Sequence, residues 1–273
     1  MIGRHISELD TPALCIDLGQ MEANMQAMAD FLRSQGKNWR PHVKCHKTPA
    51  IAQMQLARGA IGVTSAKASE AEIFIDDGVP DVLIANMVMG ESKLRRIAAM
   101  CERGNPVVAC DHFVQAEALS DVCRQRGVQC RMIIEVDVGL QRVGIRPGPD
   151  ALQLARGIDS LPGVKLVGVM GYEGHLLTET DPKKKERLIW TAMSLLENLR
   201  DGMKRVGICC DLVSAGGTGS YLITARHPAV TELQAGGGIF ADPFYLDRCG
   251  VTGLAPALAV TATVVSRPCL TRA

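Results

Sequence analysis

Apolar runs of strand length alternate with segments of helical period along most of the chain. An early run, ALCIDL (13–18), reads as a strand. A helix is predicted from about 21 to 35, because Met21, Met25, Met28 and Phe31 fall along one stripe. Eight further strand-like runs follow: NWRPHVK (38–44), IGVTSA (61–66), DVLIAN (81–86), PVVACD (106–111), CRMIIEVDV (130–138), VKLVGVMGY (164–172), CDLVSA (210–215) and VTELQAG (230–236). Segments of helical character separate most of them, among them ESKLRRIAAMCERG and the long stretch from about 182 to 206. Eight β-then-α units in succession predict an α/β fold of the (β/α)8 barrel type, and the length suits it. The rival is a doubly wound open sheet, which needs a reversal of strand order that a sequence does not display.

The two ends stand outside that count. The strand at 13–18 precedes the barrel, and APALAVTATVVSRP (255–268) reads as a strand after it. In that tail Leu258, Val260, Ala262 and Val264 alternate with Ala259, Thr261, Thr263 and Val265. The expected partition is residues 1–20 as the N-terminal strand of a β domain, 21–248 as the barrel, and 249–273 as the start of a C-terminal β domain, apparently cut short at Ala273.

Composition narrows the class of function. The 273 residues are 47% hydrophobic, enough for a sizeable core, and 30 basic against 29 acidic residues leave a net charge of +1. That balance offers nothing to nucleic acid or an anionic membrane, and 4% aromatic residues make a poor base-stacking platform. The start, MIGRHISELD, has no apolar signal core, and no apolar run is long enough to span a bilayer. Ten cysteines with no C-x-x-C spacing read as mostly buried, reduced thiols of a cytoplasmic protein.

In a barrel, chemistry sits at the C-terminal ends of the strands. The stretch RPHVKCHKTP (40–49) crowds titratable groups onto the first of them. By alternation Trp39, Pro41 and Val43 face outward, and Arg40, His42 and Lys44 face into the barrel, with Lys44 last and at the mouth. A lysine there can attack a carbonyl carbon, and neighbouring cations favour its free amine. The plain alternative is an exposed lysine at a strand end. Lys47, beyond the strand, is expected to face solvent or to assist electrostatically.

Two glycine-rich turns, SAGGTGSY (214–221) and QAGGG (234–238), end the seventh and eighth barrel strands. Gly216, Gly217 and Gly219 in the first, and Gly236, Gly237 and Gly238 in the second, let backbone N–H groups aim at an anion, with Thr218 and Ser220 adding hydroxyls. Barrel phosphate sites form at these two strands. Neither turn is a dinucleotide or Walker fingerprint. Glu135, Asp137 and Arg142 lie near the fifth strand end, and Tyr172, Glu173 and His175 near the sixth. Arg142 suits a phenolate or carboxylate, and Tyr172 suits stacking on, or bonding to, a ring. A lysine nucleophile, an anion cradle and a ring clamp together suit pyridoxal phosphate.

DTPALCID, RPHVKCHKTP, GVTSAKASEAE, EVDVGLQRVGI, GYEGH, VSAGGTGSY and TELQAGGG together resemble the D-threonine aldolase and D-serine dehydratase family. These are pyridoxal phosphate enzymes of fold-type III, whose barrel is similar to the N-terminal domain of alanine racemase. The resemblance implies that Lys44 carries the cofactor and is the catalytic residue. It implies that Thr218, Gly236 and Gly237 bind the phosphate, that Tyr245 and Arg142 lie at the cofactor, and that Tyr172 lines the pocket. Where some members carry glutamine, this chain has Ala66. The family also implies a divalent metal, held by a C-terminal histidine with a cysteine or aspartate; no histidine follows His227 here, so no metal ligand is assigned, and His42 and His46 are expected to tune the surroundings of Lys44.

The activity so implied is lysis of β-hydroxy D-amino acids in the manner of D-threonine aldolase. D-serine dehydratase-like deamination, a cofactor carrier without lyase activity, and racemisation, for which no second base is found, are the alternatives. A homodimer is the implied assembly.

Overall fold

The computed structural model describes residue 3 and residues 5–271. In chain order its main elements are β1 (Ala13–Ile16), α1 (Leu18–Ser34), β2 (Asn38–Trp39), α2 (Pro49–Leu56), β3 (Val63–Ser65), α3 (Ala68–Asp76), β4 (Asp81–Ile84), α4 (Glu91–Met100) and β5 (Asn105–Cys110). They continue with α5 (Phe113–Arg126), β6 (Cys130–Glu135), α6 (Pro149–Asp159), β7 (Val164–Met170), α7 (Pro182–Arg205), β8 (Leu212–Ala215), α8 (Tyr221–Thr224), β9 (Glu232–Leu233) and β10 (Leu258–Thr261). All eight predicted barrel strands are present.

Those eight strands form one parallel sheet in the order β2-β9-β8-β7-β6-β5-β4-β3. Parallel bridges from Trp39 to Ala60 and from His42 to Thr64 join β2 to the β3 side and close the ring. The fold is therefore the (β/α)8 barrel and not the open sheet.

Alternation along the strands divides the apolar side chains into two cores. Leu83, Val107, Ala109, Ile133 and Met170 fill the barrel. Their neighbours Val82, Ile84, Val108, Met132 and Ile134 point outward and pack under the helices. α1 contributes Met21, Met25 and Met28 to this outer core, all fully buried, with the half-buried Phe31 packed against it. The helix starts at Leu18, earlier than the apolar stripe suggests, because the Asp17 carboxylate accepts the Gln20 N–H (2.9 Å) and caps it there.

The expected first barrel strand, 38–44, is much shorter. Only Asn38–Trp39 is strand, and Val43–Cys45 is a 3-10 turn. Pro41 has no N–H to give the ladder. The ladder still runs on one side to His42, whose N–H donates to the Gln234 carbonyl (3.0 Å). The His42 ring then accepts the Lys44 N–H (3.3 Å) and turns the chain. The expected inward row holds nonetheless, since Arg40 meets residues of β4 and β9 inside the barrel.

The two end strands pair with each other. β1 and β10 form a separate antiparallel sheet in the register Leu14 to Val260 and Ile16 to Leu258. The expected tail strand of 255–268 shrinks to four residues. Asn24 of α1 ties the approach to it, donating to the carbonyls of Ile239 (3.0 Å) and Ala255 (2.7 Å) and accepting from the Ala255 N–H (3.0 Å).

Arg40, 2% exposed, lies on the barrel floor. Burial works against its charge, but Glu232 at 3.0 Å and Asp81 outweigh that and raise its pKa. Arg131 adds a second contact to Asp81 (2.7 Å). Removing one partner of a buried pair strands the other charge. We expect Arg40→Ala to lower the unfolding free energy in urea by about 3 kcal/mol. Arg95→Ala, which breaks an exposed pair with Glu91, should leave the midpoint nearly unchanged.

Candidate active site

The strand ends enclose a cavity of about 370 Å³ at the barrel mouth. Lys44, Arg142, Tyr172, Thr218, Gly236, Gly237 and Tyr245 all line it, so the seven residues singled out from the sequence converge on one space. His42, Cys45, Ala66, Asn86, Gln234 and Met170 complete most of the wall.

Lys44 stands on the 3-10 turn just past the ladder. Its side chain opens into the cavity and is exposed there, yet protein surrounds the amine closely enough to act on it. Loss of solvent is the main force lowering its pKa, and the Arg142 charge lowers it further. His42 lies beside it. Burial, then the charges of Lys44 and Arg142, push the His42 pKa down to about 3, so the ring is neutral at physiological pH. Thus the two groups at the centre of the cavity are both biased toward their free-base forms.

Arg142 sits with its guanidinium 5.7 Å from the centre of the Tyr172 ring. Its other contact is Glu135 at 3.5 Å. Burial raises the Glu135 pKa to about 6, against the pull of Arg142. Burial also raises the Tyr172 phenol, with a smaller push from Glu173, so the phenol keeps its proton. Tyr245 is raised in the same way.

The glycine-rich turns make the far wall. A Cβ on Gly236 would lie 2.1 Å from the His42 carbonyl oxygen, so only glycine permits this approach of two backbones. On Gly237 it would meet the Tyr245 ring at 2.9 Å, and on Gly217 the Tyr172 ring at 2.8 Å. The Thr218 hydroxyl accepts the Gly238 N–H (3.1 Å) and is 3% exposed as a residue. The N–H groups of Thr218, Gly236 and Gly237 donate to no acceptor among the described residues. Donors left without a protein partner at a cavity wall are available to an anion. The cavity therefore fits a ligand with an anionic end at the turns and an electrophilic carbon near Lys44.

Other sequence candidates fall elsewhere. Lys47 pairs with Glu70 (2.6 Å) on the outside, as expected of it. His46 does not line the cavity. Its ring meets Phe74 edge-on, it accepts the Thr48 N–H (3.0 Å), and burial lowers its pKa to about 4. It reaches the surroundings of Lys44 only through His42, whose pKa its charge helps to lower. Asp137 shapes its own loop by accepting from Gly139 and Gln141 (2.9 Å each). Glu173 is fully buried and accepts the Thr224 hydroxyl. His175 packs on Gly139. Asn86 and Gln234 were not singled out, although both lie within two residues of a barrel strand's end and the rule that found Lys44 would have found them. Among the described residues, no group of three or more His, Cys, Asp and Glu side chains is arranged to hold a metal ion.

The sequence profile of the alanine racemase N-terminal domain matches residues 16–243. A D-threonine aldolase from Arthrobacter sp. is 34% identical over 268 residues, 97% of this chain and 71% of that protein. A D-threo-3-hydroxyaspartate dehydratase from Delftia sp. (strain HT23) is 32% identical over 260 residues, 94% of this chain and 68% of that one. Among solved structures, the D-threonine aldolase of Filomicrobium marinum superposes with a TM-score of 0.94 at 34% identity, covering 97% of this chain and 72% of that one. The chain belongs to the alanine racemase N-terminal domain family and is a relative of D-threonine aldolase.

Proposed function

We propose that the protein is a pyridoxal phosphate-dependent lyase of β-hydroxy D-amino acids, releasing glycine and an aldehyde from D-threonine-like substrates. The observation that carries this reading is one cavity in which a lysine amine faces unpaired backbone donors across two tyrosines and an arginine. The 34% identity to D-threonine aldolase supports the choice of reaction. Bound pyridoxal phosphate supplies an aldehyde that amines attack and a ring that withdraws electrons from bonds at the amino-acid Cα.

Each residue then has a role. Lys44 contributes the catalytic amine, and its lowered pKa keeps Nζ nucleophilic and able to take up or release a proton. Thr218, Gly236 and Gly237 bind the phosphate through their N–H groups. Arg142, held against Tyr172 and Glu135, presents a fixed cation to the ring. Tyr172 and Tyr245 line the slot as neutral phenols. His42 stays uncharged beside Lys44 and so does not compete for an anion.

Deamination is the second reading, favoured by the 32% identity to D-threo-3-hydroxyaspartate dehydratase. We further propose a cytoplasmic homodimer. The free thiols of Cys110, Cys123, Cys130, Cys210 and Cys249 in the core suit a reducing compartment, and no helix among the described residues is long and apolar enough to cross a membrane. The pairing of β1 with β10 supports assigning 1–20 and 249–273 to a second, β-rich unit around the 21–248 barrel.

The purified protein should take up pyridoxal phosphate with the visible absorption band of the lysine-bound cofactor, and Lys44→Ala should lose that band and about a thousandfold of its activity. A variant that keeps the band overturns the Lys44 assignment. D-threonine, supplied with and without Mn²⁺ because the family resemblance implies a divalent metal, should yield glycine and acetaldehyde in equal amounts. Ammonia and a keto acid in their place select deamination.

A further inference from the structure

Lys185 lies in the first turn of α7 and is 6% exposed. Its Nζ donates to the carbonyl oxygens of Leu177 (2.7 Å), Gly219 (3.1 Å) and Cys249 (2.7 Å). Those three bonds use every N–H of an ammonium group. Among the described residues no carboxylate forms an ion pair with it: Glu179 in the same cavity pairs with Lys184 (2.6 Å), and Asp247 lines that cavity without reaching the amine. Burying a cation without a counter-ion is expensive.

The three carbonyls belong to three different segments. Leu177 closes the turn that follows Tyr172, Gly219 follows Thr218, and Cys249 ends the π-helical stretch Phe244–Arg248 that carries Tyr245. The segments meet at Gly219 without slack. A Cβ there would lie 3.0 Å from the Cys249 sulfur and 3.1 Å from the Leu177 side chain. Thr218 lines both the active-site cavity and the separate space of about 310 Å³ that Lys185 borders. The ammonium therefore stands one wall behind the unpaired donors.

We propose that Lys185 is a positioning residue for the phosphate end of the site: it pins the Thr218 turn to the Tyr172 and Tyr245 segments, and its charge, held by carbonyls and in no ion pair, strengthens the cradle's hold on a dianion. This rests on the pyridoxal phosphate reading. It assigns part of the cofactor's affinity to a side chain that never touches the cofactor.

The test titrates cofactor-free protein with pyridoxal phosphate and, separately, with pyridoxal, following the visible band of each. Lys185→Met and Lys185→Gln should raise the Kd for pyridoxal phosphate by about tenfold, the usual effect of removing an outer-shell partner, and leave that for pyridoxal unchanged. Lys185→Arg, which keeps the charge, should recover most of the loss. Circular dichroism checks the fold, and Lys185→Gln, able to keep two of the bonds, carries the test if the methionine variant does not fold. Equal phosphate-ligand affinity in a folded variant, or parallel weakening of both ligands, overturns the proposal. A wild-type protein that develops no band with either ligand overturns the cofactor reading itself, before any variant is compared.

Discussion

The position of Lys44 depends on one seam, the closure of the barrel between β2 and β3. The chain around Pro41 is held from both sides. The N–H groups of Arg40 and His42 donate to the carbonyls of Leu233, in β9, and Gln234, just after it (2.9 and 3.0 Å). The carbonyls of Trp39 and Pro41 accept from Ile61 and Thr64 (2.9 and 2.8 Å), and the Thr64 hydroxyl adds a bond to the Arg40 carbonyl (2.8 Å). Pro41 removes one donor from this ladder, so each remaining bond carries more of the closure. Two residues later the chain leaves the ladder in a tight turn, and the amine is fixed relative to Gly236, whose bare Cα packs on the His42 carbonyl. The nucleophile and the anion cradle are thus adjacent because they are two sides of one seam.

The barrel interior is stratified by chemistry. Charged side chains occupy the floor, where Arg40, Asp81, Arg131 and Glu232 satisfy one another. Apolar side chains fill the middle. At the mouth, cations without close acidic partners dominate: Lys44 has none, and Arg142 has Glu135 only at 3.5 Å. The charged floor is costly to desolvate, and pairing offsets that cost most fully at Arg40 and Glu232, which are buried, while Asp81 and Arg131 stay partly exposed. The mouth is left electropositive, which is the field an anionic ligand requires.

Much of this was legible in the sequence, because two periodicities carry it. Apolar runs of strand length located the barrel strands, the rule that barrel chemistry sits at strand ends collected Lys44, Arg142, Tyr172 and the two glycine-rich turns, and the family resemblance added Tyr245. Three features were less legible. The length of β2 turned on a proline and a histidine cap, local bonds that alternation does not register. The direction of His46 depended on that same turn, and the residue pattern did not show that its ring packs on Phe74. Lys185 was invisible because its partners are carbonyls of three distant segments, and backbone acceptors leave no trace in residue identity.

That last case shows how the site is assembled. Several residues that face the cavity, such as Met170 and Gln234, stand at or next to strand ends that β-pairing fixes, whereas Arg142, Tyr245 and the glycine-rich turns do not. Those reach the mouth on irregular backbone, where no ladder holds them. What holds them is polar and local: Lys185 across three carbonyls, Thr218 accepting from Gly238, and glycines that allow contact distances no side chain permits. Irregular backbone buried next to a cavity must find donors and acceptors somewhere. Here the Gly219 carbonyl is taken by the buried Lys185 and those of Gly217 and Gly237 by N–H groups of the segments that follow, while the N–H groups of Thr218, Gly236 and Gly237 face the cavity side. The polarity of the cradle follows from how its backbone groups are divided between those two faces.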